Sequence, residues 1–212
     1  MINASTLPLF DLAPGEQRRW LMERLSRPTP ADAQGLSDGF KLPGREGMRT
    51  PAAVLVPIVN RAGGLTVLFT QRSEALPDHP GQISFPGGRV DPEDASVVAA
   101  ALREAQEEVG LSPDNVTVLG QLATYETVTG YYVTPIVGWV EPPFSIVNDP
   151  IEVAEVFEVP LSHLLTPGNL QRHFRMIGER RRDYFAIPFE KRTIWGATAA
   201  MLVMLARTLN AG

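Results

Sequence analysis

Glu104, Glu107 and Glu108 fall at i, i+3 and i+4 of one short segment, so a helix would carry all three carboxylates on one face. They lie in its last turns, because Gly110 is a natural C-cap. Acid is disfavoured there by the macrodipole, and like charges four residues apart repel by about 0.2–0.5 kcal/mol. A divalent cation held by hard oxygen ligands would compensate them. Arg103 adjoins Glu104 and stands four residues before Glu107, so it can orient one carboxylate while the others point outward. Ahead of the helix, Pro86-Gly87-Gly88 makes a turn whose glycines let backbone carbonyls approach a cation unobstructed. For three acids on a face alone, a solvated helix surface is the competing account.

The elements that must hold these groups follow from pattern. Val98, Ala101, Leu102, Ala105 and Val109 recur at three- and four-residue spacing and predict the core side of the helix, with Asp94 or Ser96 as N-cap. Ala52–Asn60 is a near-continuous apolar run of strand type in which Pro57 demands a bulge or an edge. Arg61–Gly64 reads as a turn and Leu65–Gln71 as the returning strand. Val116–Thr127, Tyr132–Val140 and Ile151–Glu158 are further strands, and Thr193–Leu209 is an apolar helix packed on the sheet. Residues 1–50 form an N-terminal extension with a helix near Gly15–Ser26, and residues 51–212 form the main domain. The outcome is one mixed sheet covered by helices on both faces.

Composition narrows the class. The 212 residues, 44% of them hydrophobic, suffice for one good core. A formal charge of −5 argues against a protein that mainly grips nucleic acid. The absence of cysteine excludes disulfides, Cys-based zinc sites and thiol nucleophiles. The N-terminus lacks the order of a secretory signal, and the longest apolar run, about thirteen residues, is too short to span a bilayer. A soluble cytoplasmic protein with no membrane partner is expected. The extension and the C-terminal helix are surfaces that a homodimer could cover.

Arg103-Glu104-Ala105-Gln106-Glu107-Glu108-Val109-Gly110-Leu111 resembles the end of a Nudix box: Gly, five residues, Glu, seven residues, then Arg-Glu-apolar-any-Glu-Glu-any-Gly-apolar. The front half departs from it. Counting from Gly88, Asp94 stands where Glu is expected, and eight residues rather than seven separate it from Arg103. The Leu68–Gly88 stretch is similar to the signature that accompanies this box in coenzyme A pyrophosphatases, matching at Thr70, Arg72, Ser73, His79, Gly81, Gln82, Phe85, Pro86, Gly87 and Gly88. Pro77 departs, where that subfamily usually has Arg. The resemblance covers roughly residues 50 to 205 and implies the Nudix fold, an α/β (α+β) architecture with a mixed sheet between helices.

The resemblance also implies an activity: hydrolysis of the diphosphate of coenzyme A or its thioesters to 3′,5′-ADP and (acyl-)phosphopantetheine. ADP-ribose, NADH or another nucleoside diphosphate derivative stays open as substrate, and a nucleotide-sensing module without hydrolysis is the alternative of another class. Mg²⁺ or Mn²⁺ would neutralise the pyrophosphate and activate or orient a water. Its expected ligands are Glu104 and Glu108 with the backbone at Gly88, and Glu107 as a further or water-mediated ligand. Arg103 orients the neighbouring acids. The general base is a box Glu or a later acid, with Glu152 preferred and Glu155 as fallback. Arg72, Ser73, His79, Gln82 and Phe85 are the expected substrate contacts. The basic run Arg172–Arg182 could reach the 3′-phosphate of coenzyme A, or be a solvated hairpin or helix face.

Overall fold

The apolar runs on either side of the Arg61–Gly64 turn become a hairpin, β1 (Thr50–Arg61) and β2 (Gly64–Arg72), with Ile58 opposite Val67. This computed structural model describes residues 7–38, 41–42 and 44–211; residues 1–6 of the N-terminal extension lie outside the described residues. Strand β3 (Ile83–Ser84) pairs with the end of β2, and β4 (Gly87–Arg89) pairs with Ala52–Val54 of β1. Helix α2 (Val97–Val109) follows, capped by Ser96, whose Oγ accepts from Ala99 N at 3.1 Å, and closed by Gly110 at φ 69°. Next come β5 (Val116–Gln121), β6 (Tyr125–Glu126) and β7 (Tyr131–Val140). The continuous strand expected over Val116–Thr127 is therefore two, broken after a register shift between Val118 and Gly120. Strand β8 (Val153–Pro160) pairs with β2 and completes an eight-stranded mixed sheet.

Pro57 corrects an expectation. It lies at neither an edge nor a bulge but in the central strand, opposite Gly138 of the parallel β7 in unbroken register. On the other side of β1, pairing with β4 ends at Val54 and pairing with β2 begins at Ile58. Leu55 N, which points to that side, donates to Pro86 O. The missing N–H of Pro57, two residues on, thus falls in the fork between the two ladders, where the turn that carries Gly87 and Gly88 enters.

Two cores flank the sheet. Ala53, Leu55, Val59, Leu68, Ile136 and Val140 pack against the apolar side of α2. The opposite face, with Val56, Ile58, Val67, Phe69 and Val137, is covered by α1 (Pro14–Leu25), α3 (Leu161–Leu165) and α4 (Ala197–Asn210). Leu21 and Leu25 of α1 are buried there, so this part of the N-terminal extension shares the main core.

A second, three-stranded antiparallel sheet, which the sequence pattern does not reveal, is formed by β9 (Gln171–Ile177), β10 (Arg180–Phe189) and β11 (Arg192–Trp195). The C-terminal helix accordingly starts later than expected: Thr193–Trp195 is strand, and Gly196 at φ 67° separates it from α4. A β-branched, aromatic triplet suits a strand better than a first helical turn. Every residue of α4 from Thr198 to Ala206 is buried, covered by its own chain. No helix among the described residues is long and apolar enough to cross a membrane.

Candidate active site

The Gly87-Gly88 turn and the carboxylate end of α2 are pressed together. A Cβ on Gly87 would lie 2.4 Å from Ala53 O and 2.6 Å from Val54 Cα, so no larger residue fits the β1–β4 ladder. A Cβ on Gly88 would lie 2.5 Å from Oε1 of Glu104. Gly87 N donates to Oε2 of Glu108 at 3.2 Å. Backbone and carboxylates therefore meet with no intervening side chain.

Arg103 organises the outer part of this cluster. Its Nε and Nη2 donate to the two oxygens of Asp94, each at 3.0 Å, and Nη1 donates to Glu104 at 3.0 Å and Glu107 at 2.9 Å. Nη2 also reaches the carbonyl of Arg89 at 3.2 Å. The bond to Asp94, with desolvation opposing, leaves the guanidinium pKa raised, while the Arg103 fork and the Asp91 backbone hold Asp94 below the usual carboxylate range. Asp94 was considered above as an N-cap; Ser96 caps, and Asp94 anchors Arg103 instead. Asp is one methylene shorter than Glu and the loop one residue longer, and the fork still closes. The missed signal was an acid at the expected distance from Gly88, with one residue more than usual between it and the Arg that needs it.

The three box glutamates do not converge as the helical spacing suggested. Arg103 turns Glu107 to the rim, where its side chain is 60% exposed, whereas Glu108 is 5% exposed and points at Gly87. Among the described residues no three His, Cys, Asp or Glu side chains form a closed cation cage. The inner pair is the electrostatically unusual one. Burial pushes the Glu108 carboxyl up to about 8, opposed by the Gly87 N–H and the Arg72 charge and reinforced by Glu104 and Glu152. Burial likewise raises Glu104, against the pull of Arg103. Two hard oxygen ligands, one of them met only by a backbone N–H, beside carbonyls that no Cβ screens, fit a divalent cation.

The remaining predicted residues divide. Arg72 lies close enough for its charge to act on Glu108, and its Nε is buried with no hydrogen-bond partner. Glu152 is exposed just before β8, and its charge is felt at both Glu104 and Glu108. Ser73 N donates to Glu152 O at 2.8 Å, tying the loop after β2 to this acid. His79 and Gln82 sit on the same loop and bond each other at 3.0 Å, with His79 at φ 57°. Phe85 is a correction. It is 2% exposed and stacks on Phe69 at 5.0 Å, so it belongs to the core and presents nothing to a substrate. Glu155 is paired with Arg192, and Arg172–Arg182 is the β9–β10 hairpin, with Arg182 buried against Asp38.

The NUDIX domain family model matches residues 48–177. A protein of Photorhabdus laumondii subsp. laumondii named as uncharacterized Nudix hydrolase NudL is 45% identical over 162 residues, covering 75% of this chain and 84% of its own length. The protein of the same name from Citrobacter koseri is 47% identical over 162 residues, covering 74% and 82%. Among solved structures, the MutT protein from Methanosarcina mazei Go1 is 24% identical at a TM-score of 0.46, covering 57% of this chain and 83% of that one. By the family match and by these identities over most of both sequences, the chain belongs to the Nudix family and is a Nudix hydrolase acting on a nucleoside diphosphate derivative.

Proposed function

We propose that the derivative is coenzyme A or an acyl-coenzyme A, cleaved at its diphosphate to 3′,5′-ADP and the corresponding (acyl-)phosphopantetheine. One observation supports this reading. Arg72, from the stretch similar to the coenzyme A pyrophosphatase signature, is within electrostatic reach of Glu108 of the Nudix box. The residues that resemble a substrate signature and those that resemble a metal signature are thus near enough to serve one substrate.

Nudix hydrolases generally use divalent metal ions. Here Glu104, Glu108 and the backbone at Gly88 would hold Mg²⁺ or Mn²⁺, with Glu107 contributing from the rim through water. Such a cation supplies charge neutralisation for the diphosphate and lowers the pKa of a bound water. Arg103, locked to Asp94, keeps Glu104 in place. Arg72 Nε, buried without a partner, is a donor for a phosphate oxygen. Among the base candidates, Glu107 and Glu155 are each held in an ion pair with an arginine. Glu152 makes no ion pair among the described residues and lies within electrostatic reach of the inner carboxylates, so we assign it the removal of a proton from the attacking water. Ser73, His79 and Gln82 belong to the loop that would meet the substrate.

Pro77, in place of an expected Arg, favours a second reading in which ADP-ribose or NADH is preferred. Purified protein with Mg²⁺ or Mn²⁺ and coenzyme A should release 3′,5′-ADP and phosphopantetheine, identified by mass. Intact coenzyme A alongside hydrolysed ADP-ribose or NADH would sink the coenzyme A assignment.

A further inference from the structure

A cleft of about 400 Å³ opens between the ends of β2 and β8 and the small sheet, lined by Gln71, Gly81, Ile83, Lys191 and Trp195 among others. That volume lies in the range of small-molecule sites. Its link to the carboxylate site runs through adjacent residues at the end of β2. Gln71 lines the cleft, and Arg72, across the register shift that the β2–β8 ladder makes between the two, acts electrostatically on Glu108. The loop that follows touches both sides: Ser73 N is bonded to Glu152 O, and Gly81 lines the cleft.

The cleft carries an aromatic ring, the basic Lys191 and Arg192, and one carboxylate, Glu155, which Arg192 holds. Trp195 is half-buried, with Tyr184 edge-on at 5.8 Å and the Arg175 guanidinium 5.6 Å from its ring centroid. Arg192 is committed, bonded to Glu155 and Glu190 and lying 4.4 Å from the ring centroid of Phe157. Lys191 is exposed at the turn between β10 and β11, and neither it nor Arg175 has an acidic partner among the described residues. Lys191 and the Gln71 amide on the lining, with Arg175 stacked at the Trp195 ring although not itself part of the lining, suit a phosphorylated nucleoside. The base has an aromatic edge or face to pack on and an amide to read it, and the phosphate meets Lys and Arg.

We propose that this cleft is the subsite for the nucleoside end of the substrate, with Trp195 packing on the base and Lys191 and Arg175 holding a phosphate on its ribose. The proposal rests on the coenzyme A reading, which supplies such a phosphate at the ribose 3′ position. It assigns discrimination for that phosphate to the small sheet rather than to the residues around α2.

The test separates the two claims. Binding of 3′,5′-ADP and of AMP is followed by tryptophan fluorescence and calorimetry for the wild type, Lys191→Ala, Arg175→Ala and Trp195→Phe. Hydrolysis of coenzyme A and of dephospho-coenzyme A is measured on the same proteins. Lys191→Ala should weaken 3′,5′-ADP binding and raise KM for coenzyme A about tenfold, leaving AMP and dephospho-coenzyme A within about twofold, as expected for loss of one charge-assisted contact. The fluorescence response should vanish in Trp195→Phe. If coenzyme A is cleaved but Lys191→Ala and Arg175→Ala leave the two substrates equally affected or unaffected, the subsite is wrong and the activity stands. If 3′,5′-ADP binds in a Lys191-dependent manner while coenzyme A stays intact, the coenzyme A reading fails and the cleft remains a nucleoside phosphate site.

Discussion

Asp38 and Glu108 are buried to nearly the same depth, 8% and 5% exposed, and are met in opposite ways. Asp38 accepts from Tyr125 Oη at 3.0 Å, from Val128 N at 2.8 Å and from Arg182. Its oxygens are answered on both sides, and burial together with the Asp38 charge keeps the Tyr125 hydroxyl protonated well above its ordinary range. Glu108 has one backbone N–H as its hydrogen-bond partner, and the Arg72 charge is set against two acids in electrostatic range. The first acid ties β6, β10 and the segment before β1 together. The second has a single hydrogen-bond donor, as its proposed role of binding a cation requires. Desolvation costs both carboxylates alike, so the difference in their partners separates a fastener from a binding group.

Substituting each acid should break the comparison in opposite directions, and these are the largest effects expected. Glu108→Gln should lower turnover by about two to three orders of magnitude, the scale of losing one preorganised charge-stabilising group. Because Gln keeps the shape without a buried charge, the metal-free variant should melt no lower than the wild type. The rise in Tm that Mn²⁺ gives the wild type should disappear. Asp38→Ala should do the reverse, costing about 3–5 kcal/mol by denaturant titration because Arg182 is left buried and unpaired, with kcat of the folded fraction little changed. A Glu108→Gln protein that keeps full activity would remove Glu108 from the site. An Asp38→Ala protein of undiminished stability would erase the distinction.

Arg103 lies between these cases, since it is satisfied like the Asp38 cluster but serves the Glu108 site. Lys in its place keeps the charge and loses the planar fork to Asp94, so Arg103→Lys should reduce metal affinity or turnover by about 10–100-fold with little change in Tm. Manganese titration monitored by Tm and by activity measures both quantities. A loss of stability as large as that of Asp38→Ala would make Arg103 a structural group instead.

How much of this contrast is legible in sequence depends on its range. The cap at Ser96, the αL stop at Gly110, the core side of α2 and the Gly87-Gly88 turn all follow from residues within one helical segment, and the structure has them. The inward turn of Glu108 and the outward turn of Glu107 do not follow from the spacing of both to Glu104; Glu108 falls at the edge of the buried stripe of α2, and Arg103, anchored by Asp94, holds Glu107 at the rim. The Asp38 cluster joins residues 87 and 144 positions apart, with no local signal at any of the three. Arg182 is hidden in a basic run that reads as solvated, and Phe85 in a motif that reads as a substrate contact. In both cases tertiary packing decides what the side chain does.

Glu158 extends the comparison to an acid at intermediate depth, and its substitution should give the smallest effect. Burial pushes its carboxyl up, but Arg61 donates to it at 2.6 and 3.1 Å and Thr66 at 2.6 Å, and these bonds with the Arg61 charge leave it below its ordinary value. A carboxyl whose folded pKa is depressed stabilises the fold above the unfolded value of 4.5, and that stabilisation is lost as pH falls through the folded pKa. Arg61 is 39% exposed, so solvent screening limits the pair to about 1 kcal/mol at pH 7. Glu158→Gln should show that deficit in urea titrations at neutral pH, and the gap to the wild type should close as pH falls below 4.5 and through the lower folded value. A gap that persists in acid would mean that Glu158 acts through packing rather than charge, and that degree of pairing does not order the three acids.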